Sequence, residues 1–197
     1  MEITTSMIKE LRDATSAGVL DCREALEATG GDFEEAVAYL REKGMAEAAK
    51  KSDSAASEGI VEAYIHHGSQ VGVMLELNCE TDFVARTDDF QLLAHNLALH
   101  IAFAAPEYLA REAVPEDVIE AEKEIYRNRA LEEGKPEDIV DRIVEGRMEK
   151  FFEQICLLEQ PFIKNEDKSI GDLLNESITA FGENVVVGRY VRYEVGE

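Results

Sequence analysis

The segment from Phe90 to Ala105, FQLLAHNLALHIAFAA, is the feature that most constrains the fold of this chain. Its apolar residues follow helical spacing and cover much of a helix circumference. The main stripe consists of Phe90, Leu93, Ala94, Leu97, Ile101 and Ala104, and Leu92, Leu99 and Phe103 widen it. A helix that spans a bilayer needs about 20 apolar residues, and this segment is shorter and contains four polar ones. We therefore expect a helix, ending at Pro106, that is central in the core or shared with a second chain.

A β-hairpin precedes this helix in the sequence. GIVEAYIHH (59–67) is rich in β-branched and aromatic residues, Gly68-Ser69-Gln70 turns the chain, and VGVMLELN follows. By the period-two rule one face of the second strand carries Val71, Val73, Leu75, Leu77 and Cys79. The opposite face carries Met74, Glu76, Asn78 and Glu80, and we expect it to be at least partly exposed.

The C-terminal sequence completes the expected fold class. SIGDLLNESITAF (169–181) predicts a helix with Ser169 as its N-cap, and VVVGRYVRYEV predicts a closing strand. Strands that are separated by mainly helical sequence indicate an α+β fold, in which a small antiparallel sheet is covered by helices.

Residues 1–44 predict three short helices that form a small module. The first runs from about Thr4 to Thr15, and the second starts at Asp21, which has Glu24 at capping-box spacing, and stops at Gly30. The third starts at Asp32, in the same relation to Glu35, and stops at Gly44. Residues 45–58 are rich in Ala, Ser and Lys and predict a linker that is helical at most in its first part. Residues 59–197 form the remaining core domain.

Within this core domain, residues at about 115–158 predict a helical hairpin. Its two helices meet at Glu133-Gly134-Lys135-Pro136. The apolar residues expected to face one another across the hairpin are Ile119, Ile125 and Tyr126 on one helix and Ile139, Ile143, Val144 and Phe151 on the other. This seam is too thin for a hairpin that is stable on its own.

The charge of the chain limits its partners. The 197 residues include 42 Asp and Glu against 20 Lys and Arg, a formal net charge of −22. Phosphate backbones and anionic membranes repel such a chain, so we expect neither direct nucleic-acid binding nor a membrane partner. The start, MEITTSMIKELRD, lacks the pattern of a signal peptide, and three cysteines without paired spacing indicate reduced thiols. Both features are typical of a cytoplasmic protein.

The sequence contains no positive evidence for catalysis. The phosphate-binding and nucleophile-elbow patterns are absent, and His95 and His100 are five residues apart, which is wrong for a helical metal pair. We expect histidines on turns and helix surfaces and no metal ligands. Cys79 is expected to be a small core residue, and Cys22 lies near a helix N-terminus, which would lower its pKa.

The junction NCETDFVARTDD (78–89) has two interpretations. In the first, Thr81 or Thr87 caps a helix, Asp82 favours the positive helix end, and Phe83 tucks back into the core. In the second, Phe83 is a protruding aromatic anchor beside an acid, held by the rigid end of a strand and offered to the pocket of a partner. The residue chemistry alone favours the first interpretation.

ETDFVAR (80–86), after a strand that ends in Asn78-Cys79, closely resembles the signature of bacterial elongation factor Ts. IKELR (8–12) through AGVLDCREAL (17–26), then Gly31-Asp32 and LREKG (40–44), also resemble that family. GKP (134–136), VEGRM (144–148), QPF (160–162) and VRYEVG (191–196) follow in the family's order. The resemblance therefore extends over nearly the whole chain.

The resemblance implies a guanine-nucleotide exchange factor that binds the GDP form of elongation factor Tu, displaces Mg²⁺ and promotes GDP release so that GTP can bind. It implies a ubiquitin-associated-like three-helix module, a linker, and a core that carries a helical (coiled-coil) hairpin. Thr81, Asp82, Phe83 and Val84 correspond to the segment associated with Mg²⁺ displacement, and Arg12, Val19 and Leu20 match docking residues of the N-terminal module. Such a factor is not an enzyme and needs no cofactor.

Some positions depart from the family pattern. Many relatives have TGAG where this chain has Thr15-Ser16-Ala17-Gly18, and two methionines where it has Val19-Leu20; the linker lacks a common arginine. Longer relatives contain two copies of the hairpin-plus-helix unit, whereas one copy is visible here. A single copy leaves a sheet edge and an apolar helix face uncovered, so we expect a homodimer, as in short relatives.

Two other classes of function predict different results. An adaptor for ubiquitin-like partners would bind through residues 1–44 alone. A small hydrolase that uses Cys22 or Cys79 would lose its activity on alkylation with no GTPase present.

Overall fold

The computed structural model describes residues 3–15 and 17–196. In these residues the helices are α1 (Thr5–Thr15), α2 (Val19–Ala28), α3 (Phe33–Lys51), α4 (Asp82–Ala85), α5 (Asp88–Ala104), α6 (Glu116–Glu132), α7 (Glu137–Ile155) and α8 (Ile170–Phe181). The strands are β1 (Glu58–Ile65), β2 (Val71–Cys79), β3 (Pro161–Phe162), β4 (Asn165–Ser169) and β5 (Val185–Glu194). Helices and a small antiparallel sheet make up an α+β fold, which confirms the predicted class.

The chain divides into two compact units. The first contains Met1–Ala63, Met74–Asn96 and Asp172–Tyr190, and the second contains Tyr64–Val73, Leu97–Gly171 and Val191–Glu197. Strands β1, β2 and β5 and helix α5 contribute residues to both units.

The main sheet has the strand order β1-β2-β5. Its second strand alternates as predicted: Val73, Leu75, Leu77 and Cys79 are buried, whereas Met74 is exposed. Helix α5 ends at Ala104, just before Pro106, and its central stripe is buried, which confirms the helix predicted from the apolar segment. Leu92 and Phe103, which widen the predicted stripe, remain exposed. The short β3–β4 hairpin was not predicted, because a two-residue strand has no readable periodicity.

Helices α1 to α3 enclose a small core of their own. Its buried residues are Leu11, Cys22, Ala25, Leu26, Ala36 and Leu40. The predicted cap of α3 is confirmed, because the Asp32 carboxylate accepts a hydrogen bond from the Glu35 N–H at 2.9 Å. The predicted start of α2 at Asp21 is wrong. The helix begins at Val19 after Gly18, and the Asp21 carboxylate instead binds the Lys43 ammonium at 3.0 Å.

Helix α3 continues to Lys51, through Gly44 and the first part of the predicted linker. Tertiary packing explains this extension, since Gly44 and Ala48 are buried and a Cβ at Gly44 would approach the Thr179 hydroxyl to 3.1 Å. An ion pair of 2.7 Å between Arg41 and Asp172 also joins α3 to α8. The division into residues 1–44, 45–58 and 59–197 remains a prediction.

Helices α6 and α7, which belong to the second unit, follow each other across the connection at residues 133–136 and pack against each other. The buried residues of this cluster are Val114, Ala130, Val140, Val144, Met148, Phe152, Ile155 and Cys156. Ile119, Tyr126, Ile143 and Phe151 pack against it, whereas Ile125 and Ile139 are exposed, so their assignment to the seam was wrong. In the part of the chain that the structure describes, no helix is both long and apolar enough to cross a membrane.

Candidate functional site

The TDFV segment supplies the N-cap Thr81 and the first three residues of the one-turn helix α4. Strand β2 ends at Cys79, and the Cys79 thiol donates a hydrogen bond to the Thr81 carbonyl at 3.2 Å. Thr81 is the N-cap of α4, and its hydroxyl oxygen accepts a hydrogen bond from the Val84 N–H at 3.4 Å. At the start of α5, the Thr87 hydroxyl oxygen likewise accepts a hydrogen bond from the Phe90 N–H at 3.3 Å. Both threonines therefore act as helix caps.

Phe83 points away from the core. Its side chain is 79% exposed, whereas Ala85 is buried and Val84 is intermediate. A single helical turn can bury only one side, and here that side carries Ala85. The interpretation in which Phe83 tucks into the core is therefore wrong, and the ring is accessible to another molecule.

Asp82 lies next to the ring and pairs with Arg86, one turn later. The two side chains are 2.7 Å apart and are 44% and 77% exposed. An exposed pair of this kind contributes little to stability, because water screens it. The carboxylate is therefore free to exchange Arg86 for another partner at small cost.

A carboxylate from a distant part of the sequence holds the start of this turn. Glu183 accepts two hydrogen bonds from Thr81, one from the backbone N–H at 3.0 Å and one from the hydroxyl at 2.6 Å. Glu183 lies between α8 and β5, and 102 positions separate it from Thr81. Sequence reasoning missed this residue, because no local pattern connects the two positions.

The residue before Thr81 is anchored in the same region. The Asn184 N–H donates to the Glu80 carboxylate at 2.7 Å, and this hydrogen bond is the main cause of a Glu80 pKa below its ordinary value. Asn184 is itself buried, and its side-chain amide donates to the Ser54 carbonyl at 2.8 Å. The turn that carries Phe83 thus starts from two adjacent residues that are fixed by the segment at 183–184.

The predicted docking residues lie on the N-terminal helices and not on the TDFV turn. Arg12 is exposed on α1, and Val19 and Leu20 begin α2 with exposures of 52% and 79%. All three are accessible, as an interface with a partner requires. Ser16, one of the departures from the family pattern, lies outside the described residues.

The cysteines lack the features of catalytic nucleophiles. Cys22, Cys79 and Cys156 are buried and free. Burial raises the pKa of Cys22, so the expectation of a lowered pKa was wrong: desolvation outweighs the nearby helix N-terminus. Burial also raises the pKa of Cys79, and it raises that of Cys156 to about 11. Reactive thiols have the opposite shift.

His95 and His100 have hydrogen-bond partners within the protein. His95 is hydrogen-bonded to Glu62 at 3.0 Å. His100 is buried, which contradicts its expected place on the helix surface; it contacts Gln160 at 3.0 Å and accepts from the Ile163 N–H at 3.3 Å. Burial lowers its pKa. Among residues 3–15 and 17–196, no three His, Cys, Asp or Glu side chains form a group that could hold a metal ion.

These features define an α+β protein that presents an exposed aromatic residue on an anchored helical turn. A family model described as elongation factor TS matches residues 2–197. Elongation factor Ts from Heliobacterium modesticaldum is 58% identical over 195 residues, which are 99% of this chain and 91% of that protein. The protein of the same name from Coprothermobacter proteolyticus is 56% identical over 197 residues and 100% of both chains. The chain therefore belongs to the elongation factor Ts family.

Proposed function

We propose that this protein is a guanine-nucleotide exchange factor in translation elongation. It binds elongation factor Tu in its GDP form, displaces Mg²⁺ and promotes GDP release so that GTP can bind. Membership of the elongation factor Ts family supports the partner and the activity. The observation that carries the proposal is the 79% exposed ring of Phe83 at the end of an anchored strand.

The proposed mechanism needs no covalent chemistry. A GTPase holds its nucleotide through backbone amides around the phosphates and through a Mg²⁺ ion that bridges phosphate oxygens and protein ligands. The exchange factor binds the nucleotide-free GTPase more tightly than the nucleotide-bound GTPase. By linkage, the exchange factor weakens nucleotide binding by the same factor by which the nucleotide weakens binding of the exchange factor. A thousandfold acceleration requires about 4 kcal/mol, which a few buried anchors can supply.

Each residue of the TDFV segment has a distinct proposed role. Phe83 is the wedge that shifts partner helices near the Mg²⁺ ligands, and Val84 helps to seat it. Asp82 disturbs the charges and hydrogen bonds that keep the ion in place; its weak, exposed pairing with Arg86 leaves it available. Thr81 caps the turn, as its hydrogen bond from the Val84 N–H supports.

The N-terminal residues form the proposed docking site. Arg12, Val19 and Leu20 are exposed, and in this proposal they contact elongation factor Tu and hold the exchange factor in place. Residues 1–44 act as a ubiquitin-associated-like module, 45–58 as a linker and 59–197 as the core with a coiled-coil hairpin at about 115–158. The small core enclosed by α1 to α3 supports the three-helix module.

We also propose that the protein is a cytoplasmic homodimer without a cofactor. In the second unit, the exposed apolar residues Ile65, Phe103, Val191, Tyr193 and Val195 favour burial against a second copy. The net charge of −22 disfavours direct contact with nucleic acid or an anionic membrane.

Nucleotide-release kinetics test the proposed function. Elongation factor Tu loaded with fluorescent GDP is mixed with excess unlabelled GDP, with and without this protein, and the fluorescence decay gives the release rate. We expect strong acceleration at catalytic amounts of the protein. Unchanged release would contradict the proposal. Binding through residues 1–44 without acceleration would support the adaptor, and activity without a GTPase would support a hydrolase.

A further inference from the structure

We propose that Glu183 is a positioning residue for nucleotide exchange, because it holds the turn that presents Phe83. This inference rests on the proposed exchange function and deepens it. Glu183 does not belong to the TDFV segment, and both of its carboxylate oxygens are bound to Thr81, so it acts on exchange through Thr81.

The hydrogen bonds form a continuous chain from Glu183 to the turn. The Thr81 hydroxyl donates its single hydrogen to Glu183 at 2.6 Å, and its oxygen accepts from the Val84 N–H at 3.4 Å. The second carboxylate oxygen binds the Thr81 N–H at 3.0 Å. The carboxylate therefore fixes both the backbone of the cap and the rotation of its hydroxyl. Phe83 lies inside the turn that these bonds close.

Glu183 is a suitable anchor because its own neighbours are fixed. Gly182, with φ +69°, ends α8, and its N–H donates to the Ile178 carbonyl at 2.8 Å. On the other side, the Asn184 N–H binds Glu80, the residue before Thr81, at 2.7 Å. Adjacent residues of one segment thus bind adjacent residues of the other. This double attachment fixes where the exposed ring stands relative to β2.

Glu183→Ala removes both acceptors, whereas Glu183→Gln is nearly isosteric. The glutamine oxygen can still accept from the Thr81 N–H, and its amide can donate to the Thr81 hydroxyl oxygen. The two variants lose the same charge but differ in hydrogen bonding. Glu42→Ala is the matched control, since Glu42 is an exposed carboxylate of the same unit on α3.

The test measures GDP release from elongation factor Tu over a range of exchange-factor concentrations. We expect E183A to lower the maximal rate about tenfold, because small displacements of a positioned group have large effects on rate. The half-saturating concentration should stay within about twofold, since the docking residues on α1 and α2 are unchanged. E183Q should keep most of the rate, and E42A all of it. An unchanged maximal rate in E183A, or equal losses in E183A and E183Q, would contradict the proposal.

A double-mutant cycle with Phe83 separates positioning from general destabilisation. If Glu183 acts through the turn that presents Phe83, E183A should cause a clearly smaller further loss in an F83A background than in the wild-type protein, because only Asp82 and Val84 are then left to be misplaced. A full additional loss would overturn the inference. If E183A does not fold, Glu183→Asp replaces it, because the shortened carboxylate should also fail to reach Thr81 and lower the rate. Failure of the wild-type protein to accelerate release would instead reject the exchange function itself.

Discussion

A substitution at Phe83 should affect nucleotide exchange without affecting the stability of the free protein. We predict that Phe83→Ala lowers the rate of GDP release from elongation factor Tu about tenfold or more, which corresponds to ~1.4 kcal/mol of lost contact energy. The melting temperature of the free protein should stay nearly unchanged, because 79% of the side chain is already in water. Stopped-flow fluorescence and a thermal melt measure the two quantities.

Met45→Ala is the control for this prediction. Met45 is an exposed apolar residue of α3 in the same unit and lies outside both proposed contact regions. The Met45→Ala substitution should change neither the rate of GDP release nor the melting temperature. A fall of several degrees in the melt of the Phe83 variant would indicate that the ring supports its own core.

We predict that Cys156 makes the free energy of unfolding depend on pH in the alkaline range. Burial raises the pKa of this thiol from an ordinary 9.0 to about 11, so the unfolded chain releases the proton first. Below pH 9 the thiol is protonated in both states and does not lower the free energy of unfolding. Between pH 9 and about 11 the free energy of unfolding falls, by at most about 1.4 kcal/mol per pH unit from this group. Urea unfolding across this range should show a shallower decline for Cys156→Ala. Equal slopes would mean that the thiol does not titrate differently in the two states.

At the scale of single residues, what could be predicted depended on whether the signal was local. The cap at Asp32 and the alternation of β2 follow from neighbouring residues, and both are confirmed. The exposure of Phe83 did not follow from local chemistry, which favoured burial; the resemblance to the family pointed to the correct orientation. Glu183 had no signal, because its contact with Thr81 spans 102 positions.

The α6–α7 pair permits a direct comparison of buried and exposed seam residues. Val140 is 1% exposed and Ile125 is 47% exposed. We predict that Val140→Ala lowers the free energy of unfolding by roughly 2 kcal/mol, from lost burial and the cavity left behind. Ile125→Ala should change it by less than about 0.5 kcal/mol. Denaturant unfolding measures both, and equal effects would contradict the observed seam.

This comparison also explains which element features could be read from the sequence. Helical periodicity gave the two helices and their connection, but an isoleucine on the edge of a stripe can face either side. The periodicity therefore places Ile125 and Ile139 in the seam, whereas the structure exposes both side chains. The glycine signal predicts that α3 ends at Gly44. In the structure the helix continues, and the absence of a side chain at Gly44 permits close packing against Thr179. Contacts distant in sequence decided both cases.

At the scale of the whole molecule, docking and GDP release are proposed to use different regions. We predict that Leu20→Ala, which removes a 79% exposed side chain of α2, raises the half-saturating concentration about fivefold or more. The maximal release rate should be unchanged, since the turn that carries Phe83 is intact. Release kinetics over a range of exchange-factor concentrations give both values, with Met45→Ala as the control. A lower maximal rate at unchanged half-saturation would contradict this division of roles.

The proposed homodimer is the last property of the whole molecule that can be tested. Phe103 is 76% exposed on α5, and a second copy that covered this ring together with the other exposed apolar residues of the second unit would remove apolar surface from water. We predict that the wild-type chain of 21.9 kDa sediments with about twice its own mass. Phe103→Asp should give a monomer, because dimer formation would bury an unpaired charge. Leu131→Asp, which adds the same charge at an exposed site of α6, should leave the dimer intact. A monomeric wild-type protein, or a dimer that tolerates the charge at Phe103, would mean that this face is not the interface.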